Sequence, residues 1–138
     1  MKPKSDRLAD RIEALKRYSG YLKDYRKVSL EQLQHDHTLQ GAVCHYFQLA
    51  IECMIDAGEI LVSQRGLPKP KDGRDVFEIL GEAGILPKKF AFNIAPVAGF
   101  RNILVHEYLK VDMTIVYAHL QKDLKDFDTF AKHIAKKA

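Results

Sequence analysis

Hydrophobic residues recur every three or four positions along most of the chain, the spacing of one face of an α-helix. The first such stretch runs from about Ser5 to Arg26. A short second helix is expected just after Ser29, because Ser29 and Gln32 have the spacing of a capping box. No segment sustains the alternation of apolar and polar residues that a half-buried strand shows. The pattern therefore predicts an all-α fold.

Capping residues divide the middle of the chain into two further helices. Asp36 is expected to begin a long apolar helix that ends at Gly66. A short helix is predicted from near Asp72 to Gly84.

The last third of the chain predicts two more helices. Pro87 is suited to open one that leads toward the polar stretch at residues 99–112. Asp112 should cap the last helix, from Met113 to about Lys136. The whole pattern predicts a helical bundle of four main helices plus one or two short helices, forming a single domain over residues 1–138.

Composition narrows the class of protein. Of the 138 residues, 46% are hydrophobic and 29% are charged, the balance of a globular protein. No apolar run approaches the ~20 residues of a membrane span, so we expect no membrane partner and a cytoplasmic location. Cys44 and Cys53 are nine residues apart and fall on opposite faces of one helix, so they should remain free thiols. The net charge of +4 permits an anionic partner without requiring one.

The stretch GFRNILVHEYLKVD places Arg101, Asn102, His106 and Tyr108 at the end of an apolar helix. Arginine offers a charged planar fork for phosphate oxygens, and histidine exchanges a proton near neutral pH. In RNA the 2′-hydroxyl is itself a nucleophile, so cleavage needs a base, an acid and charge stabilisation at phosphorus, and in principle no metal or other cofactor. Asn102 could position the histidine or a substrate oxygen, and Tyr108 adds a hydroxyl and a stacking face. These residue types therefore suit cleavage of RNA.

The spacing within this stretch raises a geometric question. On one continuous helix Tyr108 would lie about 20° from Arg101, whereas Arg101 and His106 would be about 140° apart. The arginine and histidine converge on one target only if the helix ends or bends between them, or if a second subunit supplies one of them. Pro96 precedes Arg101 and is expected to kink the helix. Both possibilities remain open.

The stretch resembles the R-x-x-x-x-H-x-Y signature of the HEPN superfamily, and specifically of the HepT-type toxins of HepT/MntA toxin–antitoxin systems. The segments TLQGAVCHYFQLAIECMIDAGEIL, FEILGEAGILP and VDMTIVYAHLQKDLKDF are similar to that family as well. The resemblance covers about Asp6 to Phe130, and no position of the motif is substituted.

This resemblance implies a small all-helical ribonuclease toxin, a homodimer in which the motifs of both protomers line one cleft. Arg101 and His106 match the family's catalytic pair, and Asn102 matches the polar residue after the arginine. Tyr108 matches the tyrosine that is modified with AMP by a partner nucleotidyltransferase, the MntA-type antitoxin, in systems of this type.

Two other functions are compatible with the same residues. The chain could be a non-catalytic helical subunit that binds substrate or nucleotide for a minimal nucleotidyltransferase, with Arg101 and His106 serving recognition only. It could also be a dimerising scaffold. The loop from Lys69 to Arg74 is a candidate for backbone contacts if RNA binds. Adjacent side chains at His35, Asp36 and His37 point in different directions, which disfavours a metal site there.

Overall fold

The computed structural model describes residues 4–137, with side chains from residue 7 onward, and every regular element in this range is helical. The α-helices are α1 (Lys4–Asp24), α2 (Leu30–His35), α3 (His37–Gln64), α4 (Gly73–Glu82), α5 (Lys88–Ile94), α6 (Val97–His106), α7 (Met113–Lys122) and α8 (Leu124–Lys137). Short 3-10 turns follow α1 at Tyr25–Lys27 and α6 at Tyr108–Lys110. No helix in the described range has the length and apolar character that crossing a bilayer requires.

The predicted caps form the helix ends that the sequence indicated. The Ser29 hydroxyl accepts a hydrogen bond from the Gln32 amide at 3.1 Å, and the Gln32 side chain accepts one from the Ser29 amide at 2.8 Å. The Asp36 carboxylate accepts from the Leu39 amide at 3.0 Å and starts α3. Gly66, with φ of 62°, follows the end of α3, a backbone conformation that favours glycine. These local signals confirm the predicted boundaries.

The helix predicted to start at Pro87 is divided into α5 and α6. The interruption falls at Ala95 and Pro96. Proline has no amide hydrogen to donate, and its ring clashes with the carbonyl one turn earlier, so it ends the first helix and begins the second. Pro96 thus interrupts the helix, although Ala95 and Pro96 both keep right-handed helical backbone angles.

The last predicted helix is also divided, at Asp123, into α7 and α8. The Asp123 amide donates to the His119 carbonyl at 2.9 Å and closes α7. The buried side chains of Leu120 and Leu124 continue the same apolar face across the junction. Because the periodicity passes through the break unchanged, the hydrophobic pattern predicted one helix where there are two.

Helix α3 lies at the centre of the molecule. Helix α1 packs along it, α8 packs on α1 and α3, and α4 and α6 pack against α3. The buried side chains form one continuous cluster, with Phe47, Ile51 and Met54 of α3 in its interior. Taking α5–α6 and α7–α8 as interrupted long helices, the fold has four main helices and the two short helices α2 and α4, as predicted.

Both cysteines lie on α3 and are free, as expected from their spacing. Cys53 is buried and Cys44 is half-buried. Burial disfavours the thiolate and raises the pKa of each thiol to about 11. The cysteines are therefore packing residues with little nucleophilic character at neutral pH.

Candidate active site

Helix α6 carries Arg101, Asn102 and His106 without interruption. The Glu107 amide donates to the Ile103 carbonyl at 2.9 Å, which closes the helix directly after His106. The helix therefore neither ends nor bends between Arg101 and His106. Five residues of regular helix separate the two side chains by about 140° and by about 7.5 Å along the axis. Within one chain they point in different directions, and the intrachain solution considered from the sequence is wrong.

Tyr108 lies outside α6. The backbone leaves the helix at Glu107, with φ of −131° and ψ of 39°, and Tyr108 begins a 3-10 turn. The predicted alignment of Tyr108 with Arg101 is therefore wrong, because it required a helix that continues two residues further. The side chains of Tyr108 and Leu109 are 70% and 88% exposed, which leaves this turn open to another protein.

The polar residues of α6 differ in burial. Asn102 and His106 are exposed, whereas Arg101 is half-buried. The Nε atom of Arg101 is shielded from solvent, and no hydrogen-bond acceptor for it is found among the described residues. A shielded donor without an acceptor is unfavourable, so an anionic ligand that reached this nitrogen would gain a strong, charge-assisted bond.

Arg101 lines a cavity of about 470 Å³ between the end of α3, the loop that follows it, and α6. Lys69 and Lys71 line the same cavity from the loop, and Glu59 and Ser63 line it from α3. The arginine therefore faces a space large enough for a phosphate and part of a nucleotide.

Two carboxylates of α3, Asp56 and Glu59, lie within electrostatic reach of Arg101. Burial raises the pKa of both carboxyl groups, and the positive charge of Arg101 acts in the opposite direction on both. Asp56 also forms an ion pair with Arg11 of α1 at 3.3 Å. Neither of these two acidic residues was predicted from the sequence as part of the site. The signal was present, since they interrupt the apolar run of a buried helix.

Packing fixes the position of α6. The ring of Phe100 stacks on that of His119 in α7, with centroids 4.3 Å apart and planes 30° from parallel. The Nδ1 atom of His119 lies 2.6 Å from a carboxylate oxygen of Asp123. Phe100 directly precedes Arg101, so this stacked pair ties the site helix to α7.

Comparison with known proteins gives a consistent relationship. The family model described as "Ribonuclease HepT-like" matches residues 9–134. The chain is 32% identical over 99 residues to the mRNA nuclease HepT of Shewanella oneidensis, covering 72% of this chain and 74% of that protein. It is 29% identical over 124 residues to the tRNA nuclease HepT of Aphanizomenon flos-aquae, covering 90% of this chain and 84% of that protein.

The fold is shared with a solved structure of a tri-AMPylated HEPN toxin from Shewanella oneidensis in complex with its MNT antitoxin. The TM-score is 0.85 at 27% sequence identity, and the superposition covers 100% of both chains. The resemblance inferred from residues 99–112 is therefore confirmed over nearly the whole chain. The chain belongs to the HepT-like ribonuclease family.

Proposed function

We propose that this chain is the ribonuclease toxin of a two-component toxin–antitoxin system, and that Arg101 and His106 carry the cleavage of RNA. The observation that carries the assignment of residues is the solvent-open end of α6. There an exposed histidine follows, on the same helix, an arginine whose Nε atom has no acceptor among the described residues. Two relatives are named as nucleases of mRNA and of tRNA, which supports RNA as the class of substrate.

The chemistry assigns each residue a role in transesterification. The 2′-oxygen attacks phosphorus and the bond to the 5′-oxygen breaks, leaving a 2′,3′-cyclic phosphate and a 5′-hydroxyl. His106 takes the proton from the 2′-hydroxyl or gives one to the leaving 5′-oxygen, and water carries the other of these two proton transfers. Arg101 binds the phosphate oxygens as negative charge develops on them. Asn102, exposed beside Arg101, orients His106 or a substrate oxygen. None of these roles requires a metal ion.

The divergence of Arg101 and His106 on α6 supports a homodimer as the active form. A two-fold axis near the end of α6 would place the arginine of one protomer opposite the histidine of the other. The exposed turn at Tyr108 and Leu109 supports a second assembly, with a cognate MntA-type nucleotidyltransferase antitoxin that transfers AMP to the Tyr108 hydroxyl. The solved relative described as tri-AMPylated and bound to its MNT antitoxin is in line with this partner.

Expression of the chain alone in a bacterial host tests the proposal. We expect growth arrest from the parental chain and normal growth with His106→Ala, since the substitution removes the proton-transfer group. His35→Ala is the matched control, because His35 is also an exposed histidine that ends its helix, α2. It should remain toxic. Equal toxicity of all three proteins at equal expression would reject His106 as a catalytic residue.

A further inference from the structure

Two grooves meet beside the candidate active site. The first, here called the loop groove, is the cavity of about 470 Å³ that contains Arg101, Lys69 and Lys71. The second, here called the α1 groove, has a volume of about 350 Å³ and is lined by Arg7, Arg11, Asp56, Glu59, Ile60 and Ser63. Glu59 and Ser63 line both grooves, which are therefore contiguous along the surface of α3.

Basic side chains dominate this path. They come from three separate parts of the chain: α1 provides Arg7 and Arg11, the loop after α3 provides Lys69 and Lys71, and α6 provides Arg101. Because such distant segments converge on one surface, the charge is a product of the fold and not of a local run of basic residues.

Three acidic residues line the path: Asp56 and Asp72 have partners within the protein, whereas Glu59 lines both grooves and adds a negative charge near Arg101. Asp56 pairs with Arg11 at 3.3 Å, and Asp72 caps α4 by accepting a hydrogen bond from the Asp75 amide at 2.9 Å. The ion pairs found among the described side chains do not include Lys69 or Lys71, both of which are exposed. The lysine side of the path therefore keeps its positive charge available to an anion.

Arg101 lies near the point where the grooves meet. It lines the loop groove, and its charge acts on both Asp56 and Glu59, which line the α1 groove. An RNA backbone with one phosphate at Arg101 would therefore have a basic groove on each side of that phosphate.

We propose that the loop groove and the α1 groove form one continuous track for the RNA backbone, with Lys69 and Lys71 binding phosphates on one side of the cleaved bond and Arg7 and Arg11 on the other. This inference rests on the proposed ribonuclease function. Contacts of this kind are to phosphate and not to base edges, so they add affinity without selecting sequence. The lysine side contributes more than the arginine side, because Arg11 must share its charge with Asp56.

The experiment compares the parental chain with the double variant Lys69→Ala/Lys71→Ala on two substrates, an unstructured RNA of about twelve nucleotides and a dinucleotide with a single phosphodiester. We expect KM for the longer RNA to rise and its kcat to stay constant. The slope of log kcat/KM against log salt concentration should become shallower by about 1.4, from two lost contacts to single-stranded RNA. Cleavage of the dinucleotide should change much less, because it has no second phosphate for the lysines to bind.

The variant Lys125→Ala/Lys132→Ala is the matched control, since it removes the same charge from exposed positions on α8. It should leave the salt slope unchanged. The track is rejected if the two double variants show the same salt dependence of kcat/KM. It is also rejected if replacing the loop lysines lowers kcat/KM for the dinucleotide as much as for the longer RNA.

A binding measurement separates this inference from the proposed function. The affinity of the twelve-nucleotide RNA is measured by fluorescence anisotropy in the His106→Ala background, with and without the two loop lysines. Suppose that the parental chain cleaves no RNA, but that replacing the two lysines still weakens RNA binding and makes binding less dependent on salt. The ribonuclease function is then rejected and the track stands. If the parental chain cleaves RNA and replacing the lysines changes neither the affinity for RNA nor KM, the function stands and the track is rejected.

Discussion

At the residue scale, burial distinguishes Arg101 from the other basic side chains around it. Lys69 and Lys71 are exposed, whereas Arg101 is half-buried and its Nε atom is shielded. Electrostatic interactions strengthen where water is excluded, so the same phosphate would interact more strongly with Arg101 than with either lysine. This difference suits an arginine that stabilises the transition state and lysines that contribute to binding.

Residue types at the site were predictable because the motif is contiguous in sequence. Arg101, Asn102 and His106 share one helix, and the side-chain type of each residue indicates the chemical role it can take. The placement of Tyr108 was not predictable from spacing, because the helix ends at His106 and no glycine or proline marks that end. The end of the helix two residues before Tyr108 was enough to change the direction of the tyrosine.

Modification of Tyr108 is predicted at the residue scale. Co-expression with the cognate nucleotidyltransferase should increase the mass of this chain by whole AMP units, located on the peptide that contains Tyr108. The added phosphate can compete with RNA for basic side chains of the site, so the modified protein should be inactive. Intact-mass and peptide mass spectrometry measure both the number and the position of the groups.

The control for this prediction is Tyr21→Phe, which removes the hydroxyl of another exposed tyrosine. Tyr21→Phe should still be modified, whereas Tyr108→Phe should not. A neutralised complex in which Tyr108 carries no AMP would contradict the mechanism and would favour occlusion of the site by the partner.

At the element scale, the caps and the central helix followed from local chemistry. The capping box at Ser29, the Asp36 cap and the stop at Gly66 each depend on residues within one helical turn. The break at Asp123 did not follow, because the apolar face continues through it. Helix α7 contacts α2, whereas α8 contacts α1 and α3, and a periodic pattern carries no information about which helices each half meets.

Close packing of α3 against α4 gives a prediction at the same scale. A Cβ atom on Gly58 of α3 would lie 3.1 Å from the Cδ1 atom of Leu80 and would overlap Val76, both fully buried on α4. Gly58→Ala should therefore lower the free energy of unfolding by about 1–3 kcal/mol. Urea unfolding at one fixed protein concentration measures the change, since the stability of a dimer depends on concentration.

The same substitution at Gly41 provides the control. Gly41 is also on α3, but a Cβ atom there meets nothing within 4 Å. Alanine is the better helix former, so Gly41→Ala should raise the free energy of unfolding by about 0.5–1 kcal/mol. Equal unfolding midpoints for the two variants would show that α3 and α4 are not packed as closely as described.

At the scale of the whole molecule, tertiary packing assembles what no stretch of sequence contains. Asp56 and Arg11 come from α3 and α1, and both lie near an arginine of α6. Their separation along the chain exceeds forty residues, and hydrophobic periodicity does not say which faces of different helices meet. The surroundings of Arg101 therefore became visible only in the folded structure.

The divergence of Arg101 and His106 on α6 predicts that an active site is completed only in a dimer. Mixing inactive Arg101→Ala chains with inactive His106→Ala chains should restore cleavage if the site combines one residue from each protomer. Random pairing gives roughly half mixed dimers, and each mixed dimer has one intact site where a parental dimer has two. Roughly a quarter of the parental activity is therefore expected. Activity in the parental chain with none in the mixture would show that each protomer builds its site alone.

The rate at which the purified chain cleaves a labelled RNA tests whether Arg101 and His106 form a metal-independent ribonuclease site. We expect parental activity to persist in excess EDTA. His106→Ala should reduce the rate by about 10²–10⁴-fold, the usual contribution of a proton-transfer group, and Arg101→Ala should reduce it by about 10²–10³-fold, the usual contribution of a group that stabilises charge on oxygen. His35→Ala should cleave at the parental rate. Undiminished cleavage by His106→Ala, in protein whose helical content and oligomeric state are unchanged, would contradict the assignment of the end of α6 as the catalytic site.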